Sequence, residues 1–120
     1  MSEKAPKPIG PYSQAIKVEN LVFVSGQGPV DPRTGQIVGG GIAEQTRQTF
    51  ENIRAILKAA GLTLENVVKV SVFLKNIGDF SRMNEVYATL FKREPPARTT
   101  VQANLPLEGM LIEVDVVAAL

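Results

Sequence analysis

Apolar residues recur at two different periods along the chain, and the switches between them outline its elements. Tyr12 to Val18 and Leu21 to Ser25 are short β-prone runs separated only by Glu19-Asn20, a spacing that predicts a tight hairpin. Gly26, Gly28 and Pro29 break the second run. Asp31-Pro32-Arg33-Thr34-Gly35 carries turn chemistry and predicts a connection from Val30 to a short strand at Gln36 to Val38. Beyond Gly39-Gly40-Gly41 the period changes. Thr46, Phe50, Ile53, Leu57 and Ala60 recur at intervals of three and four, and Gln45, Arg47, Gln48, Glu51, Arg54 and Lys58 fill most of the other face. This predicts an amphipathic helix, with Gly61 where a glycine just past the last turn ends it.

Alternation then returns. From Val67 to Lys75, Val68, Val70, Val72 and Leu74 fall on one side, and Lys69, Ser71, Phe73 and Lys75 on the other. Asp79 is placed to cap a second helix carrying Phe80, Met83, Tyr87, Leu90 and Phe91, which Pro95-Pro96 stops. Arg98 to Ala103 and Leu111 to Ala119 read as two final strands joined by a loop with Pro106 and Gly109. The chain contains no repeat, low-complexity stretch or internal linker, so residues 1–120 form one domain with a polar leader at 1–8.

The order β-β(-β)-α-β-α-β-β predicts an α+β sandwich of one sheet and two helices, and two helices cover only one sheet face. The other face bears Phe23, Val67, Phe73, Val117 and Ala119 beside few charges. An apolar face with no covering layer in its own chain finds one in another chain, so the pattern predicts a homo-oligomer of unspecified stoichiometry.

Composition narrows the chemistry. Histidine and cysteine are both absent. Disulfides, thiolate metal sites, His general bases and Ser-His or Cys-His pairs are therefore excluded, and redox and zinc enzymes with them. Thirteen Lys and Arg face twelve Asp and Glu, leaving a net charge of +1. A field this weak makes neither nucleic acid nor an anionic membrane the main partner. The apolar runs fall far short of the ~20 residues that span a bilayer. Met1 to Pro8 lacks the apolar stretch of a secretory signal, so the expected compartment is the cytosol.

Carboxylates, Lys, Arg, Tyr and hydroxyls remain as chemistry. Arg98 follows Pro95-Pro96-Ala97 at the mouth of a strand, and this stiff approach suits a guanidinium aimed at a carboxylate; an ordinary surface ion pair is the alternative. Glu113 and Asp115 share a strand face with Val117 and Ala119. If water covers that face they are ordinary acids; if a second chain does, one becomes a desolvated carboxylate suited to activating water. Gly39-Gly40-Gly41 lacks the Lys and Ser/Thr ending of a phosphate loop and reads as a turn. Ser25-Gly26-Gln27-Gly28 fits neither a nucleophile elbow nor a dinucleotide fingerprint; its glycines admit a ligand to the backbone or mark a bulge. Lys92 and Arg93 lack interleaved aromatics and read as a solvated helix end.

Ile9-Gly10-Pro11-Tyr12-Ser13-Gln14-Ala15 resembles the opening motif of the RidA/YjgF family. Phe23-Val24-Ser25-Gly26-Gln27, Pro29 and the Asp31 to Gly35 turn are similarly placed. So are Asn52, Ala60-Gly61, Val70 to Leu74, Asp79-Phe80 and Asn84-Glu85-Val86-Tyr87. Pro96-Ala97-Arg98-Thr99-Thr100-Val101, Leu105-Pro106 and Ile112-Glu113-Val114 complete a pattern that covers nearly the whole chain from Ile9. The resemblance implies a chorismate-mutase-like fold, a homotrimer with clefts between subunits, and hydrolysis of 2-imino acids and their enamine tautomers to 2-oxo acids and ammonia. It implies that Arg98 holds the substrate carboxylate and Glu113 positions or activates water. Tyr12, Ser25 and Gly26 would line the pocket, and Thr100 would give backbone contacts to the imine end. No metal or organic cofactor is implied. Many members carry Cys where this chain has Thr100, so a thiol modification switch is impossible here. Members have also been described as translation inhibitors or endoribonucleases. An RNA-directed regulator and a non-catalytic metabolite-binding module therefore stand as alternatives.

Overall fold

In the computed structural model, which describes all 120 residues, the chain runs β1 (Ala15–Val18), β2 (Leu21–Gln27), α1 (Ile42–Ala59), β3 (Val67–Leu74), α2 (Phe80–Leu90), β4 (Ala97–Gln102) and β5 (Ile112–Ala119). The strands form one mixed sheet in the order β1-β2-β5-β3-β4. β5 returns antiparallel between β2 and β3, while β3 and β4 run parallel, joined by the α2 crossover. The hairpin is as tight as its spacing predicts: Val18 pairs with Leu21, and Glu19 turns the chain at φ 52°.

The helix face of the sheet is closed by alternation. Val22 and Val24, Val70, Val72 and Leu74, and Val114, Val116 and Ala118 are buried against Phe50, Ile53 and Leu57 of α1 and Met83 and Tyr87 of α2. Each such aliphatic side chain contributes about 1.5–3 kcal/mol when fully buried. The rings of Phe50, Tyr87 and Phe91 lie 4.7–5.8 Å apart between centroids and lock α2 onto α1. α1 ends as predicted. Gly61, at φ 78°, donates to the Lys58 carbonyl, and Leu62 donates to that of Leu57, closing the last turn.

The opposite face has no covering layer in the chain. Ile16, Phe23 and Val117 form a cross-strand row over three strands, and Ile16 and Phe23 are 54% and 44% exposed. Four readings of the sequence change. The alternation puts Val67 on the open face and Val68 inside, but a bulge between Val67 and Lys69 reverses them, so Val67 is buried and Val68 is 48% exposed. Gln36 to Val38 makes only an isolated bridge between Val30 and Ile37, because glycines at 35 and 39 leave too little chain for a ladder. Asp79 precedes α2 but its side chain caps nothing; a 3-10 turn at Ile77–Asp79 feeds the helix instead. β1 begins at Ala15, leaving Tyr12 to Gln14 outside the ladder, while β2 runs on through Gly26 to Gln27.

A candidate active site in two halves

One half forms where β2 leaves the sheet. Val24 pairs with Val116 but Gln27 with Val114, so one extra residue lies in β2 across Ser25 and Gly26. The bulge sets Gly26 over the Glu113 side chain. A Cβ on Gly26 would stand 2.7 Å from Glu113 Oε2, so glycine is what lets the carboxylate lie against the backbone. Gly26, Glu113 and Tyr12 line one cavity of about 540 Å³, walled on one side by the leader through Ala5, Pro6 and Pro8. Gln14 holds that leader: it accepts from the Ser2 N–H at 2.7 Å and donates to the Pro6 carbonyl at 2.9 Å. Ser25 supports the wall from behind, its hydroxyl donating to the Ser13 carbonyl at 2.6 Å.

Burial raises the Glu113 carboxyl above its ordinary value, and the negative charge of Asp115 on the same strand face raises it further. The raised group is a stronger base than a solvated carboxylate and stays protonated to higher pH. Removing the Asp115 charge takes away the second cause only. Asp115→Asn is therefore expected to shift the acid limb of the pH–rate profile to lower pH and to leave the plateau rate nearly unchanged. A limb that stays in place means that Glu113 is not the group titrating there.

The other half lies on the helix face. Arg98 pairs with Val70, whose side chain faces the helices, and its guanidinium sits 4.5 Å from the Tyr87 ring centroid and 5.6 Å from that of Phe80. None of the chain's ion pairs includes Arg98. Two aromatic faces, not an acid, hold the guanidinium, and its fork stays open to an anion. Phe80, Asn84 and Tyr87 follow one another on α2 at helical spacing, and the first and last of them meet Arg98 of β4. Asn84 Oδ1 and, on the Arg98 face of β4, Thr100 Oγ1 are buried without hydrogen-bond partners. Burial pushes the Tyr87 hydroxyl up, and the Arg98 charge draws it partly back.

The structure thus brings Tyr12, Gly26 and Glu113 together with Ser25 behind them, and separately brings Arg98 together with Thr100. Within one chain the halves do not meet, because Glu113 pairs with Phe73 on the open face while Arg98 is two strands away on the covered one. Asn84, Tyr87 and Phe80 are site residues that the sequence reading leaves as helix positions. Their spacing marks them as one face, and only the folded chain shows Phe80 and Tyr87 of that face meeting Arg98. Gly40 and Gly41, at φ 98° and 103°, make the turn into α1. Lys92 and Arg93 are exposed just past α2. No helix is long and apolar enough to cross a membrane.

Residues 2–120 match the family model described as Endoribonuclease L-PSP. The chain is 55% identical to a RutC family protein of Pyrococcus horikoshii over 98% of this chain and 93% of that one. It is 47% identical to the human 2-iminobutanoate/2-iminopropanoate deaminase over 96% of this chain and 84% of that one. A crystal structure of E. coli TdcF with bound serine superposes with a TM-score of 0.93 at 36% identity, covering 99% of this chain and 95% of that one.

Proposed function

The chain belongs to the RidA/YjgF family described as Endoribonuclease L-PSP, and from that premise we propose that it is a cytosolic hydrolase of 2-imino acids and their enamine tautomers. Its substrates are 2-iminobutanoate and 2-iminopropanoate, its products 2-oxo acids and ammonia, and its sites are clefts between the subunits of a homotrimer. The observation that carries this reading is the unpaired Arg98 guanidinium, stacked on Tyr87 and free to grip a carboxylate with both arms. The serine bound to TdcF is itself a small amino acid with a carboxylate.

The chemistry asks little of the protein. A protonated imine is already electrophilic, so orientation and a proton acceptor suffice. Water held by Glu113 adds its oxygen to the imine carbon and gives a proton to the carboxylate. The resulting carbinolamine takes that proton on nitrogen, ammonia leaves, and the C=O bond forms as the hydroxyl proton is lost. Tyr12 and the Gly26 backbone wall the water's side, and Thr100 the imine end.

The trimer joins the halves. A neighbour covering the Ile16–Phe23–Val117 row brings its Arg98 side against the Glu113 cavity. Light scattering at micromolar concentration is expected to give three times the 13.0 kDa chain mass. A monodisperse monomer would leave Arg98 and Glu113 in separate sites and end this reading. Activity is tested by adding the protein to threonine dehydratase and threonine and following 2-oxobutanoate. Faster release of the oxo acid is expected; an unchanged rate would favour a metabolite-binding module instead.

A further inference from the structure

We infer that Gln45 and Asn52, two buried amides on α1, are positioning residues that fix the segments setting the Glu113 carboxylate against Gly26. The inference rests on Glu113 being the water-holding group. The two amides are seven residues apart, two turns along one helix face. They are 3% and 1% exposed, and burying an amide among apolar side chains is costly unless its hydrogen bonds are met.

Asn52 bonds to two residues of the cavity wall, and Gln45 to the two neighbours of a third, Met110. Asn52 Nδ2 donates to the carbonyls of Gly28 at 3.0 Å and Val30 at 2.8 Å, and its Oδ1 accepts from Gln48 Nε2 at 3.0 Å. Gln45 Nε2 donates to the carbonyls of Val38 at 3.1 Å and Gly109 at 2.8 Å, while its Oε1 accepts from the Leu111 N–H at 2.8 Å. Asn52 thus clamps the chain two residues past Gly26, and Gln45 clamps it two residues ahead of Glu113. The Met110 methyl packs on Gly28 in the space that a Cβ would take, which joins the two clamped segments. Gly28, Val30 and Met110 line the Glu113 cavity; neither amide does. Gln45 and Asn52 therefore act through backbone, from a helix anchored by the fully buried Phe50 and Ile53.

The charged and titratable groups around Glu113 are Asp115 on its own strand, Lys75 two residues past its partner Phe73 on the neighbouring strand, and Tyr12, Glu3 and Lys7 around the cavity, and none of them is altered by changing α1. The test uses Asn52→Leu, similar in size but without donors. It also uses the milder Gln48→Leu, which removes only the bond orienting the Asn52 amide. Turnover on imino acids and the titration of the Glu113 carboxyl, followed by ¹³C NMR in the unliganded protein, are read on assembled protein. For Asn52→Leu we expect kcat to fall on the order of 10- to 100-fold, as misplacement of a reacting group by an ångström or less does, with KM nearly unchanged because Arg98 is untouched. The Glu113 midpoint should fall toward the ordinary carboxylate value as water enters, and Gln48→Leu should move both readouts less in the same direction. A Glu113 titration that stays in place in folded variants overturns the inference, whatever turnover does. A shifted titration with unchanged kcat supports the positioning and removes the catalytic role of Glu113. If Asn52→Leu does not fold, Gln48→Leu decides on the same two readouts.

Discussion

Arg98→Ala is expected to fold and assemble like the parent protein and to lose most of its activity on imino acids. The strand does not depend on the side chain, since β4 is held by its backbone ladder to β3, and no ion pair is broken. What goes is a charge-assisted, two-armed contact worth about 1.5–3 kcal/mol, which corresponds to a loss of roughly 10- to 100-fold in kcat/KM. Lysine should restore little. It offers a point charge in place of the fork, and it cannot stack flat on the Tyr87 ring that now orients the guanidinium at 4.5 Å. Steady-state kinetics in the coupled dehydratase assay, with light scattering on the same samples, separates loss of binding from loss of assembly. Turnover near the parental rate in Arg98→Ala would mean that the substrate carboxylate is held elsewhere.

Glu113→Gln should leave assembly and most ligand binding intact while slowing turnover by ~10²-fold, the scale of a lost general base. The amide keeps the shape of the side chain against Gly26 but accepts no proton from water. The loss stays bounded because protonated imines hydrolyse readily and Arg98 still orients them. Asp115→Asn is the internal control: it lies two residues along on the same strand face, and it is expected to move the acid limb without lowering the plateau. If Asp115→Asn abolishes turnover while Glu113→Gln preserves it, the catalytic carboxylate lies one pleat further along β5. If neither matters, backbone or substrate alone activates the water.

The parts of the fold set by local spacing are legible in the sequence alone. The α2 face, the Glu19-Asn20 hairpin, the Gly61 stop and most of the α1 face each follow from a handful of neighbouring residues, but Gln45, read on the polar side of α1, is buried. The strand order is not legible, because inserting β5 between β2 and β3 leaves no mark on either strand's own pattern. The bulges escaped for a related reason. Val67 and Val68 are the same residue type, so alternation alone cannot say which of them is buried. At Ser25-Gly26 the glycine did signal irregular backbone, yet its purpose shows only once Glu113 lies beneath it. Arg98 and Glu113 were identifiable as residues, by resemblance. That they face opposite sides of the sheet depends on the pairing of Arg98 with Val70 and of Glu113 with Phe73, and register is a long-range property. The stack beneath Arg98 was hidden for the same reason, since Tyr87 reads as helix core until β4 is laid beside it.

Mixing two inactive variants tests most directly that one imine-hydrolysing site is built from two chains. Arg98→Ala and Glu113→Gln proteins are unfolded together in equal amounts, refolded, and assayed beside each variant refolded alone. In randomly mixed trimers a cleft regains both groups when its Arg98 side comes from the Glu113→Gln chain and its Glu113 side from the Arg98→Ala chain. With free exchange that holds for about a quarter of the clefts, so about a quarter of the parental activity should return. Recovery at that level, with each variant alone remaining near its own low rate, is the predicted result. Mixed trimers, verified by mass, that are no more active than the average of the two variants would contradict a site shared between chains.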